Sequence, residues 1–309
     1  MNKIKLKYFD ILAAKQAFLE VKNITEHLRK QKNTTHNDPD IIEIAYDLQA
    51  GSYIEAVEKD PNRSALYTAE LADILDHHIS QQDSILDIGT GELTTLSLLA
   101  QKLKHKPAHI LAFDMSWSRV YKGLSFAKKV MGSDYQRVIP FVADISEIPL
   151  CDKSINVTIS SYALEPNGGK LRELMSELFR VTADKLVLCE PCYEINTEEG
   201  KKRMDKLGYI KGIDATVQEL GGKLIDKIKI HNIMNPLNPS VCFVILPPPD
   251  TKKSSVNRES LFSVPGTNYA LKKFDEFYFS KETGLCFPIL QSIPVLKSDT
   301  AILASAFGD

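Results

Sequence analysis

Residues 84–96 read Ser84-Ile85-Leu86-Asp87-Ile88-Gly89-Thr90-Gly91-Glu92-Leu93-Thr94-Thr95-Leu96. An apolar, β-rich run ends at Ile88, leads straight into Gly-Thr-Gly, and gives way to a helical stretch. Two glycines one residue apart let the backbone turn sharply and let a ligand approach it closely. The helix that follows presents unpaired N–H groups at its start. The stretch predicts strand, glycine turn and helix, the opening unit of an α/β sheet.

The alternation continues downstream. Runs at 110–113, 138–142, 155–160 and 186–189 are nearly all apolar, as for strands covered on both faces. Helical stretches at 93–103, 117–130 and 170–181 separate them; in the last, Leu171, Leu174 and Leu178 share one face. This order predicts a parallel sheet with right-handed crossovers. Runs at 223–230 and 241–246 flank a turn-rich connector at 232–240, which predicts a terminal antiparallel hairpin. The segment 247–255, PPPDTKKSS, reads as a linker.

Upstream, Ile11, Leu12, Phe18 and Leu19 repeat at helical spacing. Asp38-Pro39 is a helix start, with a capping side chain before proline at the first helical position. A single helix is expected over 41–57, and Pro61 opens another that ends near Ser80. The expected fold is α/β: a Rossmann-like doubly wound sheet with a terminal antiparallel hairpin, an N-terminal helical extension and a small β-rich C-terminal tail domain. The expected divisions are 1–60, 61–250 and 251–309.

The chain has 309 residues, a net charge of -2 and 43% hydrophobic residues. That balance gives no reason to expect a nucleic-acid binder. No apolar run approaches the roughly 18 residues of a membrane span. The five cysteines are scattered and no secretory signal precedes them, so the protein reads as reduced and cytoplasmic. Cys189-Glu190-Pro191-Cys192 has no second cysteine pair, and no metal is expected.

The ligand follows from charge. A dinucleotide turn wants a third glycine where Thr94 stands, and Asp87 and Glu92 would repel a pyrophosphate. S-adenosylmethionine (SAM) carries no phosphate; its ammonium and sulfonium suit acidic surroundings. The plain alternative is a tight turn without a ligand. Asp114 ends the next strand about 20 residues on, where a carboxylate can accept ribose hydroxyls. Met115 can pack on the adenine. Asp144 ends the third strand, placed for the adenine amino group, with the Ile145 N–H placed for a ring nitrogen. Ser160, Ser161 and Tyr162 end the fourth, where the transferable methyl would point. An N-cap or loop aspartate is the ordinary reading of Asp114 or Asp144 alone.

Taken in order, LDIGTGELTT (86–95), FDMS (113–116), VADISEIPL (142–150) and SINVTISSYALEP (154–166) resemble the class I SAM-dependent methyltransferases of the methyltransferase type 11 kind, over about residues 60–250. The resemblance implies SAM as cofactor and S-adenosylhomocysteine as product. It implies that Asp87, Gly89 and Gly91 hold the methionine end, Asp114 the ribose and Asp144 the adenine. Leu93 stands where many members have a small residue, and Pro166 where many have histidine.

Methyl transfer needs positioning and exclusion of water more than proton chemistry. A general base is required only where the acceptor loses a proton early. The candidates are Glu165, Glu190 and Tyr193, each with a solvated-loop alternative. Tyr46, Tyr53, Arg63 and Tyr67 are candidates to close the pocket, against plain amphipathic packing. The expected acceptor is a small or sugar-type molecule methylated on oxygen or nitrogen. RNA or protein modification, a non-catalytic scaffold and a homodimeric state stay open.

The tail carries Gly284-Leu285-Cys286-Phe287-Pro288-Ile289 and Ile293-Pro294-Val295-Leu296. Over about forty residues it resembles the small zinc-ribbon-like activator proteins of RNA- and protein-modifying methyltransferases. Where zinc-binding relatives open with C-P-x-C, this chain has Val264-Pro265-Gly266-Thr267. Zinc needs about four Cys or His ligands, so the tail is expected to be metal-free and to dock its apolar strands on the catalytic part, with shielding of a sheet edge as the simpler role.

Overall fold

The computed structural model describes residues 5–233, 235–249 and 260–307. A two-residue hairpin, β1 (Lys5–Leu6) and β2 (Phe9–Asp10), opens the chain. Helices α1 (Ile11–Leu19), α2 (Ile24–Lys32), α3 (Pro39–Leu48), α4 (Ser52–Lys59) and α5 (Pro61–Leu75) follow. Asp38 caps α3 by accepting from the Ile41 N–H at 3.0 Å, with Pro39 at the first turn. The helix expected over 41–57 is two helices, because Gly51 takes φ +108° and breaks the run. The stripe expected on α1 also differs. Phe9, Ala14 and Ala17 are buried with Leu28, Ile41 and Ile44, while Leu12, Phe18 and Leu19 are exposed.

The central sheet holds β3 (Ser84–Ile88), β4 (His109–Asp114), β5 (Val138–Val142), β6 (Ile155–Ser161), β7 (Thr182–Pro191), β8 (Lys223–Lys229) and β9 (Ser240–Leu246), in the order β5-β4-β3-β6-β7-β9-β8. The first five are parallel; β9 lies antiparallel between β7 and β8. Helices α6 (Thr94–Lys102), α7 (Trp117–Met131) and α8 (Leu171–Val181) are the crossovers, and α9 (Glu198–Leu207) and α10 (Ile213–Glu219) precede the hairpin. Two apolar layers cover the sheet. One packs Leu71, Leu96, Val120 and Ala127 on Ile85, Ile110 and Val157. The other packs Leu174, Leu178 and Phe179 on Leu86, Leu111 and Leu186. The strand order reverses between β3 and β6, which opens a crevice at the carboxyl ends of the strands.

The tail strands are β10 (Lys272–Lys273), β11 (Phe277–Ser280), β12 (Leu285–Leu290), β13 (Ile293–Pro294) and β14 (Ile302–Leu303), all antiparallel. The tail docks on the β5 edge. Phe262, Leu271, Phe287 and Leu296 share the core of Phe141, Ile148 and Leu150. Val295 bridges Val142 in parallel, and the Leu296 N–H donates to the Val142 carbonyl at 2.8 Å. An otherwise open edge is thereby covered. The boundary read at 250/251 lies outside the described residues.

Candidate functional site

A cavity of about 400 Å³ opens at the carboxyl ends of the strands, roofed by α3, α4 and α5. On the β4–β5 side it is lined by Gly89, Gly91, Asp114, Met115, Asp144 and Ile145. On the β6 side it is lined by Tyr67, Ser161, Tyr162, Glu165, Asn235 and Asn238.

The turn follows from its glycines. Gly89 and Gly91 take φ +60° and +56°, a region costly for other residues. A side chain at Gly89 would come within 2.6 Å of the Ala163 Cβ. The Thr90 N–H donates to the Phe113 carbonyl at 2.8 Å, which ties the turn to β4. At the end of β4, Asp114 accepts from the Gly91 N–H at 3.0 Å and the Ser116 N–H at 2.9 Å. Burial holds its carboxyl above the usual range, and the two N–H groups and Arg119 act against that. Asp144 is braced the same way, accepting from the Ser146 N–H and hydroxyl at 2.8 and 2.7 Å.

Six of the eight residues expected for the cofactor line the cavity; Asp87 and Ser160 do not. Asp87 lies buried under the turn, and burial pushes its carboxyl up to about 7. Ser160 points away from the cavity and donates to Glu190 at 2.7 Å, while its neighbours Ser161 and Tyr162 line the wall. Tyr162 sits at φ +60°, a strained conformation for a bulky residue. Its N–H donates to the Cys189 carbonyl at 3.0 Å, and its hydroxyl accepts from Ser240 at 2.9 Å.

The three expected acid–base candidates separate. Glu165 lines the cavity, and burial lifts its carboxyl to about 7, with Tyr209 and Arg203 pulling it partly back. Glu190 is not among the lining residues. It is fully buried, and one oxygen accepts from Ser160 Oγ and the Ala163 and Leu164 N–H groups at 2.7–3.1 Å. Burial raises it to about 8. Tyr193 also lies off the cavity, donating to Asp205 at 3.3 Å beneath the Lys211 ammonium. The Cys192 thiol donates to Glu194 at 3.3 Å, and Cys189 faces Cys242 across the β7–β9 ladder.

Tyr46, Tyr53 and Tyr67 line the cavity as expected. Arg63 instead donates to the Ile233 carbonyl at 3.1 Å. Glu92 does not face the cofactor space. Its carboxylate accepts from the Gly51, Tyr53 and Ile54 N–H groups at 2.9–3.4 Å and caps α4. Arg119, which the sequence reading passed over, is 1% exposed and stacks between Tyr46 and Tyr53, with ring centroids at 4.8 and 4.2 Å. It lines the cavity, with Nη1 3.8 Å from Glu92. Its signal was a charge on the Val120–Gly123–Ala127 face of α7, which is buried.

No protein-family model matches the chain, and no curated protein matches it in sequence. Solved structures do match it. A chain from the complex between the Haloferax volcanii Trm112 methyltransferase activator and a methyltransferase candidate aligns over 66% of this chain and 98% of its own, at 13% identity and a TM-score of 0.50. A SAM-dependent methyltransferase from Aquifex aeolicus aligns over 63% of this chain and 97% of its own, at 16% identity and 0.46. The [4+2]-cyclase SpnF aligns over 59% and 81%, at 13% and 0.47. At these identities the likeness is one of fold: the chain has the Rossmann-like fold of the SAM-dependent methyltransferases.

Proposed function

We propose that the chain is a SAM-dependent methyltransferase acting on oxygen or nitrogen of a small acceptor held inside the cavity. The observation that carries this is Asp114, braced by the Gly91 and Ser116 N–H groups at the lip of a glycine turn that lines the cavity. The donor set suits SAM. Gly89 and Gly91 give backbone to the methionine end, Asp114 accepts the ribose hydroxyls, and Asp144 and Ile145 serve the adenine. Asp87, buried behind the turn with its carboxyl lifted to about 7, turns negative above that pH, and a cationic ligand favours that charge. Bound there, SAM supplies a methyl group already activated on sulfur.

This chain's residues then orient the acceptor and keep water out. Glu165 stands on the β6 side and, near neutral pH, can take the proton an acceptor hydroxyl or ammonium must lose. Tyr67 and Ser161, hydrogen-bonded at 2.7 Å, and Tyr162 form the wall beside it. The roofed cavity favours a small molecule over a polymer. The tail, whose resemblance is to activators that act as separate chains, serves here as a support built into the same chain.

A co-crystal structure with S-adenosylhomocysteine tests the proposal. The expected density lies over Gly89 and Gly91, with the ribose on Asp114 and the sulfur toward Ser161 and Tyr162. Density elsewhere, or none in this cavity, overturns it.

A further inference from the structure

Helix α3 has three working faces. Pro39, Ile42 and Tyr46 line the cavity. Ile41, Ile44 and Ala45 bury in the N-terminal core. Asp47 accepts from the Ser116 and Ser118 hydroxyls at 2.7 and 3.1 Å, at the start of α7. Asp40 and Glu43 share this acidic face with Asp47, and they meet charges from the N-terminal hairpin and from the tail. Lys7 Nζ lies 2.6 Å from Asp40, 3.0 Å from Glu43 and 2.7 Å from Asp299. Lys297 Nζ lies 2.6 Å from Glu43 and 3.6 Å from Asp299.

Three carboxylates this close resemble a metal site. Three ammonium groups already stand on them, Lys7, Lys297 and Lys32, the last 3.6 Å from Asp40, so the cluster is an ion network. Lys297 is 5% exposed and the Glu43 side chain 25%; a pair this far from open solvent is screened less than a surface pair, and removing Glu43 would strand the buried ammonium. Its backbone is fixed as well. The preceding residue, Leu296, donates to the Val142 carbonyl at the end of β5, two residues before Asp144. The tail therefore touches both walls of the cavity: the β5 end through Leu296 and α3 through Lys297.

We propose that Lys297 is a positioning residue for the cofactor cavity, holding α3 through Glu43 so that Ile42 and Tyr46 form its wall before a ligand arrives. Pre-ordering a wall removes an entropy cost from binding. The inference rests on the cavity being the SAM site.

The test uses the full chain with Lys297→Met, Glu43→Gln, the double variant and Lys297→Arg. Calorimetry measures SAM affinity, and hydrogen exchange measures the α3 amides without ligand. Each single charge removal is expected to weaken SAM binding about tenfold, the ordinary size of coupling between sites. The double variant should lose no more than either single one, and Lys297→Arg should stay within about twofold of the parent. Exchange should quicken in α3 while β3, β4 and β6 stay as protected as before. Unchanged α3 exchange, additive losses, or equal quickening throughout the sheet would overturn the proposal; the last marks plain loss of stability. Glu43→Gln leaves the tail's own residues intact and guards against a Lys297 variant that misfolds. A parent protein that takes up no SAM sinks the functional reading alone, because the exchange experiment still reads the clamp.

Discussion

Asp114 is the side chain on which most depends. Replacing it with alanine removes the acceptor for the Gly91 and Ser116 N–H groups and for the ribose. A loss of about 2–3 kcal/mol in SAM binding is expected from its charge-assisted hydrogen bonds, read by calorimetry. Glu165→Gln should leave SAM affinity nearly unchanged and lower turnover about 10²-fold, the low end for a general base. Its carboxyl, lifted to about 7 by burial, must be ionised to act, so parent activity at saturating SAM should rise with pH through 7 and that limb should vanish in the variant. Glu190 differs. Its raised value, about 8 against an ordinary 4.5, means the folded state binds a proton that the unfolded chain has released. Its contribution to stability is full below about 4.5 and is lost as pH rises toward 8. Glu190→Gln should flatten that part of the pH–stability curve, read by thermal unfolding, and should spare methyl transfer. Asp114 and Asp144 were legible as cavity residues because one ends β4 and the other stands two residues past β5. Ser160 and Glu190 were misread because alternation sends neighbouring side chains to opposite faces: Ser161 lines the cavity and Ser160 meets Glu190 behind it.

At the scale of elements, the glycine turn and its flanking strand and helix were plain in the sequence, because apolar runs and Gly-x-Gly are local signals. The break between α3 and α4 was not. The stretch 41–57 has helical periodicity throughout, and what ends the first helix is Gly51 at φ +108° together with a carboxylate from a distant turn. Glu92 looked like a ligand for a cationic cofactor while only its neighbours in sequence were visible. In the fold it spends its oxygens on the first N–H groups of α4. Glu92→Ala is expected to leave those donors and Arg119 without their carboxylate and to destabilise the protein by about 3 kcal/mol. Denaturant unfolding reads the total, and hydrogen exchange should show α4 opening before the sheet.

At the scale of the molecule, the parallel sheet with its terminal hairpin was legible from the succession of strands and helices, while the insertion of β9 between β7 and β8 was not. The docking of the tail on β5 was foreseen only as apolar strands seeking cover; the edge they chose depends on contacts distant in sequence. Among the described residues no helix is long and apolar enough to cross a membrane. The roof, the strand ends and the tail converge on one cavity, whose expected occupant is a cation without phosphate.

Calorimetric titration of the full chain with SAM, beside NAD as the phosphate-bearing rival, tests that expectation most directly. One SAM per chain, tightening as pH rises through 7 where Asp87 ionises and much weakened in Asp114→Ala, is the expected result. Binding of NAD in preference to SAM, or of neither, would contradict it.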